Sequence, residues 1–455
     1  MNRINIESNK LIFSIDRGIG WLFDGIFAIF LRMAPCAIKG RIETWGKSNL
    51  AHNALGLILL NALGGFLLLV TQIKMANVLG AAIYGIYAYC LAIGEVGANF
   101  VRYGRQKTML RDLVQHPDRQ NYLISNTFVL SVINLLFFLG VVLLFHSSLD
   151  IPVSLTYVLL IVSPCLVSLD FQMVYESFNL ISWHAIYNFL QKILFLCPIW
   201  IAIVCFTLSL WWIAVVACIS WLIVLALQYR EVTTSLSLKI CRNVNIRTIC
   251  SLYRENFSIA LICCLEIAFA PLIRMVLNHY TDTSVVGVFS ASLQIYSIAM
   301  FLLLQIARVG NPMMARIGKD GVSGRERKIF VRRYLGIMLG SALPFSLVLL
   351  FVPHTLTSWL FTPQYADIAR ILPILGAYLA FYAIGLVFIQ FLISIRKDKT
   401  YFTIFSLSAI VTVLCTFGLI PAYGLIGAAL ALCLPHGLAC MAYCFCSLKY
   451  LRINK

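Results

Sequence analysis

Nearly all the basic residues of this chain fall at its ends or in every second gap between long apolar runs, and that alternation constrains the fold more than any motif does. Apolar runs lie at about 52–73, 84–101, 122–145, 153–175, 187–207, 209–227, 257–280, 284–307, 334–352, 371–395, 401–419 and 424–447. Each is long enough to cross a hydrocarbon core, which takes ~20 helical residues. Of 35 lysines and arginines, 31 precede the first run, follow the last, or fall in even-numbered gaps. Lys74 and Arg370 alone occupy odd gaps, and Lys192 and Arg274 lie inside runs. Because Lys/Arg excess marks the cytoplasmic side, the pattern predicts an all-α polytopic membrane protein of about 12 transmembrane helices with both termini cytoplasmic.

Composition agrees. Hydrophobic residues make up 61% of the chain and charged residues 12%, and a soluble domain of this length would expose large apolar patches at such values. The net charge of +17 is spread along loops facing the anionic leaflet, so it reflects topology. A nucleic-acid partner would want those cations on one folded surface with aromatics between them. The fifteen cysteines sit mostly in or beside apolar runs without paired CxxC spacing, which predicts free thiols packing as small apolar side chains and no metal site.

Residues 1–51 stand apart. Between Leu11 and Met33, Asp16, Arg17, Asp24 and Arg32 interrupt the apolar residues, which suits an amphipathic helix in the cytoplasmic interface better than a span or a cleavable signal. Further along, an internal repeat emerges. Ile73-Lys74-Met75 is followed, eleven residues after the lysine, by Gly85-Ile-Tyr-Ala-Tyr-Cys-Leu-Ala-Ile93. Ile273-Arg274-Met275 is followed, thirteen residues after the arginine, by Gly287-Val-Phe-Ser-Ala-Ser-Leu-Gln-Ile295. Each block is a cation near the outer end of a helix, a short turn, then glycine, a β-branched residue and an aromatic. The blocks predict two six-helix lobes related by a parallel pseudo-twofold repeat. The lobes would span 52–228 and 257–447, joined by a basic cytoplasmic linker at 229–256, with a tail at 448–455. Such a molecule can rock about a central cavity, a motion an enzyme has no need of. Gly64, Gly65, Gly424 and Gly427 are expected at close helix contacts.

Four segments resemble a known family. Ala76-Asn-Val-Leu-Gly-Ala-Ala-Ile-Tyr-Gly-Ile-Tyr-Ala88 is similar to the first outer turn of polysaccharide transporters, the O-antigen flippase (Wzx-like) branch of the multidrug/oligosaccharidyl-lipid/polysaccharide (MOP) exporter superfamily. Val285-Val-Gly-Val-Phe-Ser-Ala-Ser292, Leu360-Phe-Thr-Pro-Gln-Tyr-Ala-Asp-Ile-Ala369 and Ile420-Pro-Ala-Tyr-Gly-Leu-Ile-Gly-Ala-Ala429 resemble later family segments, in the family's order. One departure is Ile273-Arg274, where the family often has Asp-Arg. The resemblance implies a transporter, with no catalytic residues and no cofactor. It would move an isoprenyl-diphosphate-linked oligosaccharide from the inner to the outer leaflet of a bacterial inner membrane, as a monomer, with membrane lipids and other polysaccharide-assembly proteins as partners.

An anionic diphosphate crossing a low-dielectric region demands fixed cations. Arg274 is the foremost candidate to bind it, followed by its repeat mate Lys74, then Lys192, with Arg102 and Arg105 at the inner mouth. Snorkelling, positive-inside anchoring, or pairing of Arg274 with Glu266 would explain the same cations without function. Glu95, Asp170 and Glu266 are the carboxylates within runs and the candidates for coupling transport to protons or sodium. Two rivals bring different expectations. A multidrug antiporter of the same superfamily would favour an acidic cavity, and a membrane polymerase or ligase would place acids, His or Arg in a substantial outer loop. The outer gaps hold only scattered polar groups such as His146, Asp150, Asp282, His354 and Asp367, with no acid pair.

Overall fold

In lipid no water satisfies the backbone, so spanning segments must bond internally as helices. A computed structural model describes residues 49–105, 109, 112–113, 119–147, 149, 154–178, 180–234, 244–267, 269–317 and 324–453. The interfacial helix expected at 11–33 lies outside these residues. Among them no strand occurs. The helices are α1 Asn49–Arg102, α2 Gln120–Leu144, α3 Leu155–Leu166, α4 Gln172–Ser177, α5 Ile181–Cys205, α6 Leu210–Thr234 and α7 Ile246–Glu266, then α8 Ala270–Tyr280, α9 Thr283–Ile317, α10 Gly324–Phe351, α11 Pro353–Leu360, α12 Ile368–Ser394 and α13 Asp398–Ile453.

Nine helical stretches among the described residues are long and apolar enough to cross a membrane, and two of these, of 42 and 54 residues in α1 and α13, are too long for one crossing. Both are divided at a glycine. Gly80 adopts φ 74°, ψ 165° and Gly424 φ 51°, ψ −120°, conformations that side-chain-bearing residues rarely adopt. In α1 the contacts reveal a reversal. Before Gly80, Gly64 and Thr71 meet Lys192 and Trp200 in order along α5; after it, Tyr89 bonds the Leu149 carbonyl and the Ala98 carbonyl accepts from Ser168. In α13, a Cβ on Gly427 would come within 2.2 Å of the Leu419 carbonyl oxygen, although eight residues of straight helix would separate them by ~12 Å. Gly424 and Gly427 therefore make a turn rather than the helix-to-helix contact their spacing suggested.

The apolar run at 257–280 is not one helix, as its composition suggested. It breaks after Glu266 and resumes at Ala270, with Pro271 in the first turn of α8. Proline lacks the N–H that would continue the ladder and disfavours helical backbone in the residue before it. The run at 153–175 also divides, through a short turn at Val167–Leu169 and an extended Asp170.

The first half packs α1 against α2, α3 and α5, and α6 against α3 and α5. The second packs α12 against α9, α10 and α13, and α8 against α13. One continuous apolar core runs through both, from Met75 and Tyr84 to Phe289, Tyr365 and Phe391, and α1 against α9 is the broadest seam between them. Large apolar side chains such as Phe137, Leu144, Val204, Phe351, Trp359 and Phe445 are exposed around the outside, where lipid would be the solvent. Cys90, Cys165 and Cys218 are buried free thiols, packing as small side chains.

Candidate functional site

At the centre of that seam a charge from each half meets the other. Glu95, on the second arm of α1, accepts a hydrogen bond from Arg274 Nη2 of α8. The Arg274 Nε also donates to the Ala270 carbonyl at 3.3 Å, on its own first turn, so the helix restart at Pro271 sets where the guanidinium points. The Arg274 side chain is only 10% exposed and that of Glu95 is 42% exposed. The cation is thus walled in and the carboxylate stands on the open side. Glu95 lies ten residues beyond Gly85, ~15 Å along a helix, or about half of a ~30 Å hydrocarbon thickness.

A cavity lies beside the same seam. Tyr84, on the second arm of α1, is buried. Gln294, with Gln72 and Ser297, is one of the polar residues lining a cavity of about 380 Å³ between the first arm of α1 and α9. Its other walls are apolar, including Phe66, Leu69 and Phe301. An apolar chamber therefore carries two amides and a hydroxyl on its lining.

The other sequence candidates go elsewhere. Lys74 is exposed. Lys192 is half-buried on α5 and lies across Gly64, where a Cβ would come within 2.8 Å of its Cδ; among the described residues it has no ion pair. Arg105 is buried and donates to the Thr127 carbonyl at 2.5 Å and to Ser131, which pins the Tyr103-Gly104 turn, at φ 47° and 70°, against α2. Burial pushes its pKa down to about 10, so it stays charged at neutral pH. Arg102 is half-buried and its carbonyl receives the Arg105 Nε at 3.3 Å. Asp170 meets His184 Nε2 at 3.2 Å inside the first half, and Glu266 is exposed at the end of α7. Arg274 pairs with Glu95, across the halves, and not with Glu266. Gln72, Tyr84, Gln294 and His184 were not singled out by charge; the two amides interrupting apolar runs were the available signal.

Both ends of the seam are bridged. Where α1 turns, Asn77 Nδ2 donates to the Leu360 carbonyl at 2.8 Å and its Oδ1 accepts from Thr362 N at 3.0 Å. Gln364 Oε1 accepts from Ala81 N at 3.3 Å, and the Tyr365 hydroxyl donates to the Ala76 carbonyl at 2.9 Å. Just inside, a Cβ on Gly85 would fall 1.7 Å from Thr283 O, and one on Gly287 2.1 Å from Ala81 O. At the opposite, basic end, the start of α7 lies against α2. Asn245 N donates to Asn126 Oδ1 at 2.8 Å, Tyr122 and Thr248 share a hydroxyl bond, and Tyr253 donates to Asn134.

Residues 50–318 match the family described as polysaccharide biosynthesis protein. No curated protein matches. Among solved structures, the lipid II flippase MurJ in an inward closed conformation is 14% identical with a TM-score of 0.66, covering 87% of this chain and 91% of that one. An inward-facing multidrug resistance MATE family transporter of the MOP superfamily is 13% identical with a TM-score of 0.59, over 88% of this chain and 95% of that one. A MOP superfamily transporter from Pyrococcus furiosus, described as having a binding pocket of reverse polarity, is 13% identical at a TM-score of 0.55, over 87% and 95%. At these identities the likeness is one of fold.

Proposed function

The chain belongs to the polysaccharide biosynthesis protein family, and from that premise we propose that it is a multi-pass transporter of the MOP superfamily that flips an isoprenyl-diphosphate-linked oligosaccharide across a bacterial inner membrane. The observation that carries this reading is Arg274, a guanidinium walled in at mid-depth and bonded to Glu95 across the halves. A prenyl chain suits the walls formed by Phe66, Leu69 and Phe301, and a diphosphate suits a guanidinium, whose planar fork can bond two oxygens at once. Gln72, Gln294 and Ser297 would receive the first polar groups beyond the chain.

The reading includes two six-helix halves at 52–228 and 257–447 with the basic end cytoplasmic. The glycine contact supports this division. Gly85 abuts the carbonyl of Thr283 and Gly287 that of Ala81, a reciprocal pattern of the kind a twofold relation between two helices demands. Export of organic cations, the runner-up, asks for an unneutralised carboxylate in the cavity, and Glu95 is neutralised by Arg274.

The test is at Arg274. Arg274→Ala should abolish delivery of lipid-linked sugar while the protein stays inserted, because one charge-assisted contact contributes ~1.5–3 kcal/mol before the unpaired phosphate is counted. Arg274→Lys should retain part of the function, since a point charge replaces some of the fork. Surface polysaccharide measured beside membrane protein level decides it, and a fully active Arg274→Ala protein would end the reading.

A further inference from the structure

A buried guanidinium without an anion is costly, and a carrier that releases an anionic cargo must solve that problem on every empty return. The central pair has the geometry of a solution. Glu95 and Arg274 come from opposite halves, so their bond forms only when the halves are together at mid-depth. The carboxylate sits on the open side and the guanidinium behind it. Among the described residues Arg274 uses two acceptors, Glu95 and the Ala270 carbonyl, out of five N–H donors. Donors therefore remain from which a second anion can begin to bind before the first has left.

We propose that Glu95 is a built-in surrogate for the cargo: in the empty protein its carboxylate occupies the place on Arg274 that the ligand's diphosphate takes, and the two exchange. The proposal rests on the reading of Arg274 as the diphosphate contact and adds a role for Glu95 as a specificity-determining competitor. Displacement of Glu95 by phosphate oxygens undoes a bond between the halves, so cargo binding itself loosens the seam. The exchange also sets specificity. A ligand without an anion, or with one too weak to displace a carboxylate, leaves the latch shut. On the return, Glu95 replaces the departed diphosphate and the arginine is never bare.

The experiment uses the full-length protein in nanodiscs and a defined probe, farnesyl diphosphate, with farnesol as the same chain lacking the anion and inorganic pyrophosphate as the anion lacking the chain. Removing the competitor in Glu95→Gln should tighten farnesyl diphosphate binding about tenfold or more while farnesol binding stays at its wild-type value. Glu95→Asp, which keeps the charge on a shorter arm and strains the bond, should tighten it by less and guards against a Gln variant that fails to insert. The same Glu95→Gln protein should lose net delivery of lipid-linked sugar in cells, because its empty form carries an unpaired cation. Arg274→Ala should bind farnesyl diphosphate no better than farnesol, with or without Glu95→Gln.

The failures separate. If Arg274→Ala weakens the diphosphate probe but neither Glu95 variant tightens it, the surrogate idea is wrong and the diphosphate site stands. If Arg274→Ala leaves probe binding unchanged, the site itself is elsewhere. Equal tightening of farnesol and farnesyl diphosphate in Glu95→Gln would also overturn the proposal, since it would mean a change in the apolar chamber. Pyrophosphate should bind weakly but follow the same order among variants; an order reversed from the farnesyl probe would count against exchange at the anion.

Discussion

The two ends of the seam are closed by different chemistry. At the end where α1 turns, closure runs through backbone: glycine against carbonyl at Gly85 and Gly287, and turn amides and carbonyls held by Asn77, Gln364 and Tyr365. At the basic end it runs mainly through the tips of side chains, with Tyr122 on Thr248, Tyr253 on Asn134, and Asn126 capturing one amide. Side-chain tips can change rotamer one at a time, whereas a backbone contact between glycines opens only when whole helices separate. The difference teaches which end yields first. The basic end is expected to open with small local cost, and the turn end as a single cooperative step that waits for the central pair to be released.

The largest effect should come from adding a side chain at the glycine contact. A Cβ on Gly85 cannot coexist with the Thr283 carbonyl at 1.7 Å, so α1 and α9 must part. Overpacking of this kind costs ~1–3 kcal/mol and sometimes more. Gly85→Ala or Gly287→Ala should shift the turn end towards open. A single cysteine replacing Ser290, buried just beneath the contact, would be labelled at least tenfold faster by a thiol reagent applied from that side. Unchanged labelling in both variants would show that the glycines do not seal this end.

An intermediate effect is expected at Asn77, whose amide makes both of its bonds to the 360–362 turn. Asn77→Ala removes two hydrogen bonds at ~0.5–1.5 kcal/mol each. Asn77→Asp keeps the acceptor for Thr362 N and loses the donor to Leu360 O, so it should fall between wild type and Ala. Labelling of the Ser290 cysteine provides the scale, and an Asp variant as open as Ala would locate the hold elsewhere in the turn.

These contacts were unequally legible in the sequence. The spans stand out because hydrocarbon thickness demands long apolar runs, and the matched blocks around Gly85 and Gly287 stand out because a cation and a glycine recur in the same order. That the two glycines touch could not be read, since similarity of segments carries no distance between them. Glu95 and Arg274 were each visible as charges inside apolar runs, but 179 positions separate them, and spacing arguments reach only along one helix. That is why Glu266 looked the nearer carboxylate for Arg274. Gln72 and Gln294 were hidden for a different reason: neutral polar groups carry no charge to betray them, and their importance comes from the cavity they line. The break before Ala270 had a signal in Pro271 that the surrounding apolar composition masked.

The smallest effect belongs to the basic end, and it sharpens the comparison most. Tyr253→Phe removes one hydroxyl while keeping its ring against Tyr103, whose centroid is 4.9 Å away. Asn134 keeps its Nδ2 bond to the Phe100 carbonyl at 3.3 Å, and only its Oδ1 loses a donor. Tyr122→Phe likewise deletes only the contact with Thr248. Each change should cost ~0.5–1.5 kcal/mol, a few-fold in the opening equilibrium. A cysteine at Ser125, buried beside Tyr122 on α2, should be labelled a few-fold faster in inside-out vesicles, with the Ser290 reporter at its wild-type rate. The two substitutions together should act nearly additively, because separate side-chain contacts open independently. A joint effect far beyond the sum would mean that the basic end also opens as one cooperative unit, and the contrast between the two ends would fall.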